Sequence, residues 1–186
     1  MEMLILGLAI WCIVHFIPAI APSVKKQWIS LLSENGYKAS FTVLIIISLV
    51  LISLGWRSTQ PVYLYTSPAI ATHIAMGLMI IAFILFGASK KPTRINRYIR
   101  HPQLSGVFVW TIAHLILNGD NRSVVLFATL GTWSIFEMIF ISKREGQWQK
   151  PQAPSLGQEI KGVAVSLVIL IVAVMAHPYI SGVAIK

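Results

Sequence analysis

Long apolar runs separated by short polar segments dominate this chain. Each run approaches the ~20 mostly apolar residues that a helix needs to cross a bilayer. We expect membrane-spanning helices at about residues 3–22, 39–56, 68–88, 103–118, 123–142 and 161–180. The pattern therefore predicts an all-α, polytopic bundle of six transmembrane helices. It forms one domain over residues 1–186, because no linker is long enough to separate two.

Three connecting segments refine this picture. Asn118-Gly119-Asp120-Asn121 has the composition of a tight turn and predicts an antiparallel hairpin of the fourth and fifth spans. Residues 23–38 contain apolar side chains at helical spacing among polar ones, which fits an interfacial helix or a partly ordered linker. The first span resembles a signal peptide but lacks a basic segment before it, so we expect a retained helix.

The basic residues orient the predicted bundle. The chain is 56% hydrophobic and 11% charged, with a mean hydropathy of +0.74 and a net charge of +9. Most of its 15 basic residues fall in three loops on one side, namely Lys25, Lys26, Lys38, Lys90, Lys91, Arg94, Arg97, Arg100, Lys143, Arg144, Lys150 and Lys161. The other side has Arg57, Arg122 and Lys186. The positive-inside rule then puts both termini on the non-cytoplasmic side. Basic residues on the cytoplasmic side of a protein in a lipid bilayer account for the high net charge. No nucleic-acid partner is therefore expected.

Ionisable side chains inside the predicted spans are the candidates for function, because burying them in a membrane is costly. They are His15, His73, His101, His114, Glu137 and His177. Helix rise puts His15 about 12 Å and His114 about 16 Å from the cytoplasmic ends of their spans, near one level. Two such histidines on separate helices can ligate a haem iron axially.

Each of these two histidines lies on a stripe with a glycine and a tryptophan. Gly7, Trp11 and His15 follow a spacing of four residues, as do Gly106, Trp110 and His114, and Gly77 follows His73 in the same way. Glycine leaves room for a flat macrocycle and tryptophan can stack on it. The alternative is that the histidines bond between helices and that the stripes only pack.

The remaining candidates have structural interpretations. We expect Glu137 to pair with Arg100, Arg97 or His101 as a tether, or to serve a proton route or a substrate site. His177 lies near Tyr179 and is interpreted as an interface anchor. The chain has one cysteine, Cys12, and no CxxCH motif, so any haem would be non-covalent. Zinc, phosphate-loop, dinucleotide and serine-hydrolase motifs are absent from the sequence.

A family resemblance begins at Arg100-His101-Pro102-Gln103-Leu104-Ser105-Gly106. It continues through Trp110, Ala113-His114-Leu115 and Asn118-Gly119-Asp120, and includes His15-Phe16-Ile17-Pro18 near the start. Over essentially its whole length the chain resembles the NnrU family, and plant zeta-carotene isomerase, a haem b enzyme with histidine axial ligands, is similar in its membrane domain. The resemblance implies haem b with His15 and His114 as the ligand pair. His73, Trp110, Gly106, Arg100 and the motif residue His101 complete the proposed cofactor-binding set.

The resemblance leaves several functions open. It implies a redox-linked haem protein of the bacterial inner membrane, associated with nitrite and nitric oxide reduction or with cis–trans isomerisation of a polyene. Its partners would be an apolar polyene or quinone and a redox protein, and a non-enzymatic assembly factor is a further alternative. Arg100-His101-Pro102 is also similar to membrane isoprenylcysteine methyltransferases, which use S-adenosylmethionine. The chain lacks their paired acidic residues, because Glu137 stands alone in its span.

Overall fold

The computed structural model describes residues 1–90 and 93–182, and this part of the chain is all-helical, as predicted. The helices are α1 (Glu2–Ile20), α2 (Pro22–Ser58), α3 (Ala71–Ala88), α4 (Pro102–Leu117), α5 (Asn121–Glu145) and α6 (Leu156–Ser181). One turn of 3-10 helix, Ile95–Arg97, lies between α3 and α4. Lys91 and Lys186, which entered the count of basic residues, lie outside the described residues.

Five of the described helices, α1, α2, α3, α5 and α6, are long and apolar enough to cross a membrane. Helix α4 is apolar but has only 16 residues. At 1.5 Å per residue it is ~24 Å long, somewhat less than a hydrocarbon core of ~30 Å. The structure thus confirms a multi-pass membrane protein, while the sixth crossing and the side of the termini stay predictions.

Helix α2 is much longer than the predicted second span because it includes the preceding polar segment. It has 37 residues and bends at Ser33, whose φ of 64° lies in the left-handed region. The rings of Trp28 and Tyr37 meet edge to face across this bend, with centroids 5.0 Å apart. Residues 23–38 are therefore helical, and the bend lies within this amphipathic segment, before the apolar part of α2.

The helices pack in the spatial order α2, α1, α5, α4, α3, α6. Glycines set the closest contacts within two of the pairs. A Cβ on Gly7 of α1 would lie 2.7 Å from Ser48 O of α2, and a Cβ on Gly106 of α4 would lie 2.7 Å from the Phe86 ring of α3. Small residues at such positions let helices approach closely, and van der Waals packing then holds them together in a membrane.

The loop between α2 and α3 caps the C-terminal end of α4. Leu64 N donates to Gly119 O at 2.7 Å in the turn after α4. Tyr65 Oη donates to Leu115 O and Ser67 Oγ donates to Ile116 O, so two carbonyls that helix geometry leaves unpaired are satisfied. Burial, and then the charge of Asp120, raise the pKa of Tyr65, so its hydroxyl remains a donor. The segment Asn118-Gly119-Asp120 thus holds the loop between α2 and α3 in place, and it also forms the turn between α4 and α5.

Asp120 also starts α5, which completes the predicted hairpin of α4 and α5. Its carboxylate accepts from Ser123 N at 3.2 Å as the N-cap. The guanidinium of Arg122 lies 3.3 Å from the Asp120 carboxylate and 4.4 Å from the centroid of the Trp56 ring. These contacts join the end of α2 to the beginning of α5.

Glycine contacts between helices give a paired stability test. We expect Gly7→Ala to lower the free energy of unfolding by about 1–3 kcal/mol, because the new methyl group would meet the backbone of α2. The control is Gly77→Ala, since nothing lies within 4 Å of a Cβ there. It should change stability by less than about 1 kcal/mol. Thermal unfolding in detergent would measure both, and equal losses in the two variants would contradict the close packing of α1 on α2.

Candidate functional site

His114 lies one turn from the end of α4, and its own helix fixes its imidazole. Nδ1 is 2.9 Å from Trp110 O, and the ring contacts those of Trp110 and Phe127, with centroids 4.8 and 4.5 Å away. With Nδ1 protonated and donating to the carbonyl, Nε2 carries the lone pair that a metal would use. This arrangement is the one usually found for metal-ligating histidines.

His15 on α1 repeats this local geometry. Its Nδ1 is 2.9 Å from Trp11 O, and its ring lies 4.3 Å from that of Trp11, 5.2 Å from Trp133 and 5.5 Å from Phe41. The predicted stripes thus place each tryptophan against its histidine. The glycine of each stripe contacts a neighbouring helix instead.

The two histidines lie at different levels of the bundle. Helices α1 and α4 both pack against α5, where His15 contacts Trp133 and His114 contacts Phe127. These two residues of α5 are six positions apart, which corresponds to ~9 Å of helix rise. The expectation of one common level is therefore corrected. The part of either histidine in binding haem stays a prediction.

The structure brings His114 close to His177, which the sequence pattern suggested was an interface anchor. The rings of His114 and His177 have centroids 6.3 Å apart and planes inclined by 37°. Ser181 Oγ lies 3.2 Å from His177 Nδ1 and donates to His177 O at 2.9 Å, so the last turn of α6 positions this ring. No signal in the sequence indicates that α6 returns to α4, because the contact depends on how helices distant in sequence pack.

His73 is placed apart from this pair. Its side chain is exposed near the start of α3, whereas Ala71 and Ala75 of the same helix are buried. Gly77, the glycine of its predicted stripe, has open space around it. His73 thus lies on an exposed face of α3, which favours an interfacial position over a ligand position.

Hydrogen bonds from Arg100 and His101 join the beginning of α4 to the end of α5. Arg100 Nη1 donates to Gly146 O at 2.8 Å, and Nη2 lies 3.3 Å from Glu145 Oε2. His101 Nε2 is 2.8 Å from Ser142 Oγ. Burial, and next the charge of Arg100, lower the pKa of His101, although Glu145 opposes the shift. These contacts replace the pairing with Glu137 that the sequence suggested.

Glu137 is buried in α5 without the partner that we expected. It is 7% exposed, and Oε2 has no hydrogen-bond partner among residues 1–90 and 93–182. One turn earlier, Trp133 is 6% exposed, and its indole Nε1 has no hydrogen-bond partner in the same part of the chain. Since buried polar groups are nearly always hydrogen-bonded, this pair on one face of α5 is a second candidate for function. The only feature of the sequence that indicates this pair is the spacing of four residues between Trp133 and Glu137, which puts them on one face of a helix.

The metal-ligating side chains fit the coordination of a haem iron better than that of a metal ion held by protein ligands alone. Among the described residues, no group of three or more histidine, cysteine, aspartate or glutamate side chains is placed to hold a metal ion. A structural zinc site needs four protein ligands, whereas haem iron takes one or two because the porphyrin supplies the others. One or two histidines whose Nδ1 is hydrogen-bonded, as in His15 and His114, are enough for haem iron.

The environment of His101 predicts a dependence of stability on pH. Its pKa is lower in the folded than in the unfolded chain, so the unfolded chain binds more protons as the pH falls below about 6.5 and the folded state loses stability. His101→Gln removes this proton but can still hydrogen-bond to Ser142. Between pH 7.5 and 5.5 its unfolding midpoint should fall by about 1–3 °C less than that of the unchanged protein. Equal decreases would show that this imidazole titrates normally.

The comparisons with known proteins agree with the sequence resemblance. The model of the family described as NnrU protein matches residues 3–185. No curated protein and no solved structure matches the chain. Because the match covers nearly all of the sequence, the chain belongs to the NnrU family.

Proposed function

We propose that this membrane protein binds haem b non-covalently and that His114 is an axial ligand. The observation that supports this most is the pair His114 and His177. A ligating imidazole nitrogen lies about 2 Å from its metal, so two imidazoles on opposite sides of one ion have ring centres about 6 Å apart. The 6.3 Å between these two rings matches that spacing. We therefore propose His177 as the second ligand.

His15 is the alternative second ligand and rests on the family resemblance. It has the same bond from Nδ1 to its own helix as His114. However, it contacts α5 ~9 Å further along than His114 does, so both could bind one iron only if α1 moved along α5. The pair on α4 and α6 needs no such movement.

The surroundings of His114 suit a haem on this side of α4. Bound haem would supply one-electron redox chemistry. Trp110 and Phe127 pack against the imidazole, orient it and exclude water. Arg57 and Tyr63, near the same end of α4, are exposed and could bind propionates. Arg100 lies 14 residues earlier and is paired with Glu145, so it is a less suitable partner.

We further propose that α4 is the sixth membrane crossing and that both termini are on the non-cytoplasmic side of a bacterial inner membrane. Short connections join α4 to α5, and α4 packs against α3 and α5. A redox-linked role associated with denitrification, with a redox protein as partner, extends this proposal. Methyl transfer receives no support from Arg100 and His101, because both are engaged in joining α4 to α5.

Absorption spectra of the purified protein, as isolated and after dithionite reduction, test the haem proposal. We expect a Soret band and sharp reduced α and β bands, as for a low-spin haem with two histidine ligands. His114→Ala should abolish haem binding, and His177→Ala should leave a high-spin haem or none. The matched control is His73→Ala, which should leave the spectrum unchanged because that side chain lies apart on α3.

The same series decides between the two ligand pairs. An unchanged spectrum in His114→Ala would reject the proposal altogether. Loss of the low-spin bands in His15→Ala but not in His177→Ala would replace His177 by His15 as the second ligand. A colourless protein after expression with added haem would remove haem binding as the function.

A further inference from the structure

A groove between α1 and α5 has the size of a small-molecule site. It encloses about 360 Å³, and its lining includes Cys12, Phe16, Thr129, Trp133 and Phe136. A second groove of about 210 Å³ continues between the same two helices and shares Cys12 and Thr129 with the first. Their combined volume falls within the range of known ligand pockets. Because both grooves are open on one side, a ligand could enter from the lipid.

Two buried polar atoms next to this groove have no hydrogen-bond partner among the described residues. Trp133 lines the groove and its indole Nε1 is one of them, although only 6% of the residue is exposed. The other is Oε2 of Glu137, which lies one helical turn beyond Trp133 and outside the lining of the groove. Leaving such groups unsatisfied costs free energy, since water is excluded from them. A ligand with complementary polar atoms would satisfy both.

The chemistry of these groups selects one class of ligand. A saturated lipid chain or a polyene fills apolar space but offers nothing to an indole N–H or a carboxyl. A quinone head group is flat and apolar and carries oxygen atoms on opposite sides of its ring. The Cα atoms of Trp133 and Glu137 are ~6 Å apart along α5, so the two side chains leave the helix at a spacing comparable with that of the two oxygens.

We propose that the groove between α1 and α5 binds the head group of a lipid-soluble quinone. Trp133 Nε1 donates to one quinone oxygen, and the Glu137 carboxyl meets the opposite one. That carboxyl donates when protonated to the quinone, and when ionised accepts from the hydroxyl of the quinol. The tail lies along the second groove, against Ile5, Leu8 and Val125. This binding site does not depend on haem, so either proposal can fail without the other.

The only cysteine of the chain provides a reporter for occupancy. Cys12 is partly exposed and lines both grooves, so a bound ligand should slow its alkylation by N-ethylmaleimide. The probe is decylubiquinone, whose ring is fully substituted and therefore resists addition of the thiol. The matched control ligand is n-decylbenzene, which has the same tail but no oxygen atoms. With the full-length protein in lipid nanodiscs, we expect decylubiquinone to halve the alkylation rate at a concentration at least tenfold lower than n-decylbenzene does.

Variants then test the hydrogen bonds themselves. Trp133→Phe keeps an aromatic ring but removes the N–H, and Glu137→Leu removes the carboxyl. Each should raise the half-protecting concentration of decylubiquinone about tenfold and leave that of n-decylbenzene unchanged. Trp148→Phe, in the loop after α5, is the control and should change neither value.

Equal protection by both ligands would overturn the proposal in favour of a general lipid site, and absence of protection by decylubiquinone would reject it outright. Unchanged quinone protection in a folded Trp133→Phe variant would also contradict it. If the variants do not fold, the comparison of the two ligands on the unchanged protein still decides. The haem spectrum of each preparation shows separately whether the haem proposal holds.

Discussion

Both candidate sites depend on α5, which approaches α4 closely at Gly131. A Cβ on Gly131 would lie 2.7 Å from Thr111 Oγ1, so any larger residue would push the helices apart. Thr111 is fully buried, and its hydroxyl donates to Phe108 O at 2.7 Å, so its polar group is satisfied within α4. This contact helps to set where Phe127 meets His114. Helix α5 also packs against α1, where Trp133 meets His15, so the two candidate sites share this helix.

The segments that carry the family resemblance act mainly at helix ends. Arg100 and His101 hold the beginning of α4 against the end of α5, and Gly119 receives the loop that caps the other end of α4. A short helix depends strongly on such contacts, since the membrane interior offers no water to its unpaired carbonyls. The family motif therefore defines how α4 is held. The groups suited to ligand chemistry are His114 within the motif and several residues outside it.

The sequence was sufficient for the helices because apolar runs of membrane length have few alternatives to a helix. It also placed His114 and Trp110 on one stripe of α4, since they are four residues apart and their contact needs no tertiary information. The sequence did not predict the features that depend on how the helices pack against one another. Depth counted from helix ends assumes that all helices begin in one plane. The contacts of His15 and His114 with α5 show instead that these residues are offset.

The same reasoning explains two residues whose neighbours differ from those expected. His177 was interpreted as an anchor because its nearest sequence neighbours are interfacial, and its contact with His114 follows only from the way α6 returns across α3. Glu137 was assigned a partner in the loop before α4 because both were expected near the cytoplasmic side. In the structure, Arg100 pairs with Glu145 and His101 bonds with Ser142 instead.

In the described part of the chain, one carboxyl oxygen of Glu137 is left without a hydrogen-bond partner in α5, one turn from the indole N–H of Trp133 in the same state. A membrane protein with so few charged residues retains such a costly pair only where something compensates it. A ligand that carries its own oxygen atoms into the groove provides that compensation, and the apolar walls of α1 and α5 allow it to arrive from the lipid.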